Sequence, residues 1–516
     1  MDAPATVTGN LLYDSPEWDF ELINRTYDAI HEIGVDEMGL NIYPNQIEVI
    51  RAEQMLDAYA SIGMPNMYRH WSFGKHFARE EALYRKGARA LAYELVINSD
   101  PCINYIMEEN SMTMQALVLA HAAMGHNHFF KNNYLFQQWT DATSILDYLT
   151  FAKEYVAECE ERFGVETVES VLDSAHALMN QGISRHPMPR RSAAEAAEKA
   201  RLRVRHEEET YNEIWRTVPR SELSVKSASE LTAEMAKEEL ALNLPQENLL
   251  YFLEKHAPKL EDWKRELLRI VRMLAQYFYP QRQTKVMNEG CATFTHYEIL
   301  NAMYDRGQIN EGAMLEFMHS HSSVVYQPSF DSGHYSGMNP YALGFAMMQD
   351  IKRICQEPTD EDKDWFPDFA GNGDAMGTLK EAWAEFRDDS FILQFLSPKL
   401  IRDFRLFNIH DRSDSPFVQV ESIHNETGYR EVRRKLADQY DTGVRDPDIQ
   451  VVSADLSGDR RLVLHHRVRD GVLLDKNQCD RTLLHVAHLW GYRAKLMEMD
   501  IETGEMLKEH EALPMP

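Results

Sequence analysis

Two things are scarce in this chain: long apolar runs and basic charge. The longest apolar run of the central stretch, Ala116 to Met124, is much shorter than the roughly 20 residues a bilayer-spanning helix needs. No membrane insertion is expected. The first residues, MDAPATVTGNLLYDSPEW, lack the basic start and apolar core of a secretory signal. Lys and Arg total 54 against 82 Asp and Glu, and the formal charge of −28 repels nucleic acid and anionic lipid except at a local patch. The five cysteines are odd in number and form no CxxC pair, which argues against a disulfide framework and for a reducing cytoplasm. A phosphate-binding GxxxxGK(S/T), a complete Rossmann glycine pattern and a fixed-period repeat are also missing, so ATP or NAD chemistry has no direct support. At 516 residues the chain can bury a large core, and more than one domain is expected.

What the chain does have is a concentration of polar groups inside an otherwise apolar segment, Ala92 to Asn133. Burying such groups is costly unless they are paired, hydrogen-bonded or bound to a metal. His121 and His128 are seven residues apart and share one face of a helix. His126 points about 140° away at 100° per residue. A bulge, or a helix end at Gly125, would bring it back. Far downstream, in Met287 to Leu300, Glu289 and His296 are also seven apart and share a face if that segment is helical. Two such helices facing each other supply four or five imidazole and carboxylate groups, a donor set suited to zinc, iron or manganese. The competing reading is a buried hydrogen-bond network without metal.

Helical spacing predicts a first helix through Trp18, Leu22, Ile23, Tyr27 and Ile30, and a second, capped by Asn45, through Ile47, Ile50, Leu56 and Tyr59. Tyr68 to Phe77 reads as a packed loop with snorkelling cations, the alternative being an anion or sugar site. Arg79 to Glu94 returns to an amphipathic helix. The charged, alanine-rich region 190–240 reads as a solvated helix or mobile excursion. In Met318 to Pro328, His319 and His321 would share one face of an extended strand. Beyond Leu396 strand-like runs take over, among them Ile449 to Ala454 and Arg461 to Val468, and Tyr429 to Tyr440 interrupts them as a helix. His465, His466, His485 and His488 lie in this part and read as structural or surface groups. The expected architecture is mainly α, residues 1–395, with a smaller C-terminal α+β domain, residues 396–516.

Six ordered blocks, EWDFELI, HWSFGKHF, YELVINSDP, AHAAMGHNHFFKNN, NEGCATFTH and NPYALGF, together resemble the SpoVR family, named for stage V sporulation protein R. The similarity covers roughly Ser15 to Asp500. It implies a bacterial, cytoplasmic protein connected with spore cortex formation, or with stationary-phase and stress physiology. By gene neighbourhood it also implies a PrkA-type serine protein kinase and a von Willebrand A-like protein as partners. A weaker similarity joins AHAAMGH to the HExxH helix of zinc peptidases, and NEGCATFTH to the later helix that donates a glutamate in gluzincins, which makes the helical domain distantly gluzincin-like. Here His121 and His126 are five apart instead of four, and Ala122 stands where the catalytic glutamate would be. Glu108 or Glu109 replaces that carboxylate only if folding brings it close.

Two functions follow. In the first, the chain is a regulatory partner in the kinase-associated system, and the polar cluster only stabilises the core. In the second, it is a metal-dependent hydrolase acting on a cell-wall-type peptide or sugar. His121, His126 and Glu289 then hold a divalent metal, zinc in first place, and Glu109, His128 and His296 are the candidate catalytic groups. The carboxylate missing at Ala122 ranks regulation first.

Overall fold

The computed structural model describes residues 11–60, 67–71, 94–185, 242, 244–330, 332–410, 419–422, 425–456 and 458–514. Most of the HWSFGKHF block, the expected helix from Arg79 and the charged excursion at 190–240 lie outside these residues. The chain forms two compact units, one of Met1–Glu158 with Tyr277–Arg445, the other of Cys159–Gln276 with Asp446–Pro516. Among the described residues no helix is long and apolar enough to cross a membrane.

The first unit is mainly helical. Helix α1, Phe20–His31, starts where the Asp19 carboxylate accepts from the Leu22 N–H, and it buries Ile23, Ala29 and Ile30. A small three-stranded sheet follows, made of β1 (Asn45–Ile50), β2 (Glu94–Ile97) and β3 (Cys102–Met107) in the order β1-β3-β2. β1 runs parallel to β3 and β2 antiparallel to it, with Glu94 opposite Ile106. The helix expected from Asn45 is therefore a strand up to Ile50, and the helix begins only at Ala52. Ile47, Val49 and Ile50 suit either structure locally, and pairing with β3 decides between them.

Ser111 caps helix α2, Met112–Val118, which runs without a break into a π-helix, Leu119–His126, and then α3, Asn127–Asn132. Every residue of the π-helix is buried. Against it lies α4, Lys285–Asp305. Two orphan N–H groups at the start of α4, those of Val286 and Met287, donate to the buried Asp388 carboxylate at 2.9 Å each. α5 (Glu311–Val324) and α6 (Pro340–Gln356) complete the surroundings, each capped by an asparagine side chain. His319 and His321 thus lie on a helix, not on the expected strand.

Glycines set the spacing between these helices. A Cβ on Gly125 would stand 2.4 Å from the Ala292 Cα. One on Gly290 would meet the Gly344 backbone at 2.7 Å, and one on Gly344 would meet the Val286 carbonyl oxygen at 2.2 Å. The backbones of the π-helix, α4 and α6 therefore approach as closely as hydrogen in place of a side chain allows.

The second unit carries a four-stranded mixed sheet: β6 (Ile449–Ala454), β7 (Leu462–Val468), β8 (Ala494–Asp500) and β9 (Met506–Ala512) in sequential order. A short pair, β4 (Asn408–His410) and β5 (Gln419–Ser422), precedes it in the chain and belongs to the first unit. The helix Lys476–Trp490 packs on β8 and β9, and it carries His485 and His488. The fold is thus mainly helical with a smaller α+β part at the C-terminus. The packing units do not divide at 395/396: the helix Glu426–Asp438 packs on Asp388–Phe395 in the first unit, and Cys159–Gln276 joins the C-terminal strands in the second.

Candidate metal centre

The close crossing at Gly125 brings the π-helix imidazoles against the start of α4. His121 Nε2 lies 3.8 Å from Glu289 Oε2, and His126 Nε2 lies 3.6 Å from the same oxygen. The three ligand atoms all lie within 4.8 Å of one another. A second carboxylate stands beside them, with Glu94 Oε1 at 3.8 Å from His121 Nε2. The histidine side chains are 5% and 9% exposed and the carboxylates 17% and 18%, so the cluster meets solvent on its carboxylate side.

Hydrogen bonds behind the rings settle which nitrogen of His126 carries hydrogen. Its Nδ1 lies 2.9 Å from the Asn288 side-chain oxygen, an acceptor only, so Nδ1 donates and the Nε2 lone pair faces Glu289. His121 Nδ1 lies 2.9 Å from His296 Nδ1, and His296 Nε2 lies 2.9 Å from His321 Nδ1. One self-consistent arrangement of neutral rings has each imidazole donating to the next, away from the cluster, which leaves the His121 Nε2 lone pair directed inward. Burial pushes His126 down to about 4, and the neighbouring His121 adds to that. Burial likewise holds His296 well below the usual imidazole range and takes His321 down to about 4.

Glu289 Oε2 is buried and makes no hydrogen bond to any described residue. Burial alone would raise its carboxyl, but His121, His126 and Tyr341 outweigh it and hold the group below the ordinary value. Glu94 shifts the other way: burial raises it, and the His121 attraction does not compensate. Separations of 3.6 and 3.8 Å are too long for hydrogen bonds. They suit two ligands of one cation, because donors about 2.1 Å from a zinc ion at a tetrahedral angle stand about 3.4 Å apart. Two imidazoles and a carboxylate also match the donor set of hydrolytic zinc sites that keep one position open.

The structure therefore brings His121, His126 and Glu289 together and places His296 directly behind His121. His128 does not share their face. The π-turn rotates it into a separate network, where its Nδ1 accepts from the Asn41 N–H at 2.9 Å and its ring packs edge-on against Trp383. Glu109 is exposed and accepts from the Ala52 N–H, and Glu108 pairs with Arg51; neither reaches the cluster. Sequence reasoning missed Glu94 and Asn288 as site residues, and weighed His321 as an outer-shell partner or, in preference, a polar loop residue, whereas it stands behind His296. Glu94 and Asn288 lie within quoted blocks, YELVINSDP and NEGCATFTH, but nothing local marks an edge-strand glutamate as belonging to a helical pair.

Fold and cluster together define a mainly helical protein with two imidazoles and a carboxylate converging between two tightly crossed helices. The chain belongs to the SpoVR family: the SpoVR like protein family matches residues 17–445, and the SpoVR-like C-terminal domain matches residues 447–501. An uncharacterized protein of Escherichia coli strain K12, YcgB, is 53% identical to it over 499 residues, spanning 96% of this chain and 95% of that protein. No solved structure matches the chain.

Proposed function

We propose that this chain is a metal-dependent hydrolase. It holds one divalent cation, zinc in first place, through His121, His126 and Glu289, and acts on a cell-wall-type peptide or sugar. Its physiological setting is that of the family resemblance, spore cortex formation or stationary-phase and stress physiology in the cytoplasm. A PrkA-type serine protein kinase and a von Willebrand A-like protein are the partners in that setting. The observation that carries the reading is the buried Glu289 Oε2, which lacks a hydrogen bond among the described residues while a donor-free imidazole nitrogen faces it. Lone pairs facing each other in a buried place call for a positive charge between them. A bound divalent ion would supply Lewis acidity and ionise water near neutral pH. The gap at Ala122 weighs toward regulation, but Glu94 beside His121 removes that weight.

His121 and His126 hold the cation through Nε2, Asn288 and His296 fix the two rings from behind, and Tyr341 supports the Glu289 carboxylate. Elemental analysis of protein purified without chelator tests the reading. About one zinc-group metal per chain is expected, lost in His121→Ala and in Glu289→Ala. Wild-type protein free of stoichiometric metal would refute it.

A further inference from the structure

Hydrolysis at such a centre needs a group that takes a proton from the attacking water; in the HExxH pattern it is a carboxylate, and the histidine helix offers none, since Ala122 occupies the position next to His121. Several carboxylates of the first unit are committed elsewhere. Glu289 faces both histidines as a ligand. Glu108 and Glu109 are exposed and engaged with Arg51 and Ala52. Glu298 is bound by Lys352 and Gln349. Asp350 is held by Arg353 and Ser397, and Asp388 caps α4. Glu94 remains.

Glu94 Oε1 lies 3.8 Å from His121 Nε2, yet Glu94 is outside the set of three whose ligand atoms are mutually within 4.8 Å. It therefore stands at the edge of the cluster instead of completing it. No donor among the described residues holds its carboxylate by a hydrogen bond, and its side chain is 17% exposed, open enough for a water molecule. Its backbone, by contrast, is fixed: β2 pairs with β3 at Glu94 and Ile106 and packs on the π-helix that carries the histidines. A carboxylate with a fixed backbone, a free head and one flank on a ligand atom has the geometry of an acid–base group.

We propose that Glu94 is the catalytic acid–base carboxylate of this centre, supplied by a strand in place of the usual helical position. This rests on the metal-dependent reading given above. For an amide substrate, a water proton passes to Glu94 Oε1 while the water oxygen bonds to the amide carbon. As the carbon–nitrogen bond breaks, the same proton passes from Glu94 to the leaving nitrogen. One water is consumed, and an acid and an amine are released.

Calorimetric binding of acetohydroxamic acid to zinc-loaded protein tests this without a known substrate. The ligand binds zinc as its anion, so its proton must go somewhere. In wild type the proton goes to Glu94, and the observed heat does not depend on the ionisation enthalpy of the buffer. In Glu94→Gln about one proton per ligand is released to buffer and affinity falls at least about tenfold, with zinc content unchanged. Glu94→Asp, which keeps the carboxylate, retains proton uptake and guards against a folding defect in the amide variant. Equal proton release by wild type and Glu94→Gln overturns the proposal. So does loss of zinc in Glu94→Gln, which would make Glu94 a ligand, or failure of acetohydroxamic acid to bind zinc-loaded wild type. Absence of zinc from wild type would instead refute the metal-dependent reading itself.

Discussion

The Gly125 crossing gives the sharpest test of how the site is built. In Gly125→Ala the new Cβ would stand 2.4 Å from the Ala292 Cα and 3.0 Å from its Cβ, where ordinary contact begins at 3.4 Å. The obstacle is backbone, so no side chain can swing aside, and the π-helix and α4 must part by about 1 Å. Overpacking of this kind costs about 1–3 kcal/mol. The same displacement widens the gap between the π-helix imidazoles and Glu289, already 3.6 and 3.8 Å, beyond what one small cation spans. Zinc affinity is therefore expected to fall about 10- to 100-fold, the range seen when the support of a ligand is lost. Gly333→Ala is the control, since nothing lies within 4 Å of its added Cβ and its backbone is not left-handed. Competition titration with a chromophoric chelator measures the affinity, and urea unfolding of the metal-free protein measures the stability. A Gly125→Ala protein with wild-type zinc affinity would refute the account, because the ligands would then not depend on that crossing.

Acid should destabilise the fold through a buried imidazole. Burial takes His128 down to about 4 from an ordinary value of 6.5, and its Nδ1 accepts from the Asn41 N–H, which requires the lone pair. Between those values the unfolded chain binds the extra proton, so stability is complete above about pH 6.5 and falls as pH drops toward 4, by about 3 kcal/mol for this ring. His128→Gln should flatten that dependence in urea unfolding across pH 7 to 4.5; an unchanged slope would rule the ring out as its source. In the second unit, Glu498 is fully buried, and its oxygens accept from the Leu474 N–H and pair with His466 and His510 at 2.9 to 3.1 Å. Glu498→Gln strips the charge from a buried paired group and should cost about 3 kcal/mol in chemical denaturation; a loss below 1 kcal/mol would mean that the histidines do not depend on it.

What could be read ahead of the structure depended on how local the deciding contact is. Ile449–Ala454 and Leu462–Val468 announce themselves as strands because each opens on a short, largely apolar run with β-branched residues, IQVV and LVL. Asn339-Pro340 announces a helix start because cap and proline are adjacent. Asn45–Ile50 reads as helix by spacing, wrongly, because the strand partner that decides it, Cys102–Met107, lies far along the chain. His321 was misplaced on a strand because its short stretch of sequence lacks a clear period; the cap that starts its helix is Asn310. The residue types at the cluster were visible, and so was the need for some bulge at His126. The contribution of Glu94 was not, because it arrives from an edge strand whose position is set only by pairing with β3.

The five-residue spacing of His121 and His126 has a structural counterpart. An α-helix brings residues four apart onto one face, whereas a π-turn closes on the fifth. His121 and His126 are five apart, and the backbone across them is a π-helix. Their rings come within 4.6 Å of each other, centroid to centroid. The five-residue spacing and the wider turn thus match, and the two rings meet at a spacing that a regular helix would scatter. The same winding turns Ala122 into the apolar core, where it is fully buried among aliphatic and aromatic neighbours. A glutamate there would be an unpaired buried charge. On the metal-dependent reading, the π-helix that brings His121 and His126 together therefore denies a carboxylate that place, and an acid–base group would have to come from another element. Glu94 on β2, 3.8 Å from His121 Nε2, is the group placed to do so under the proposal above.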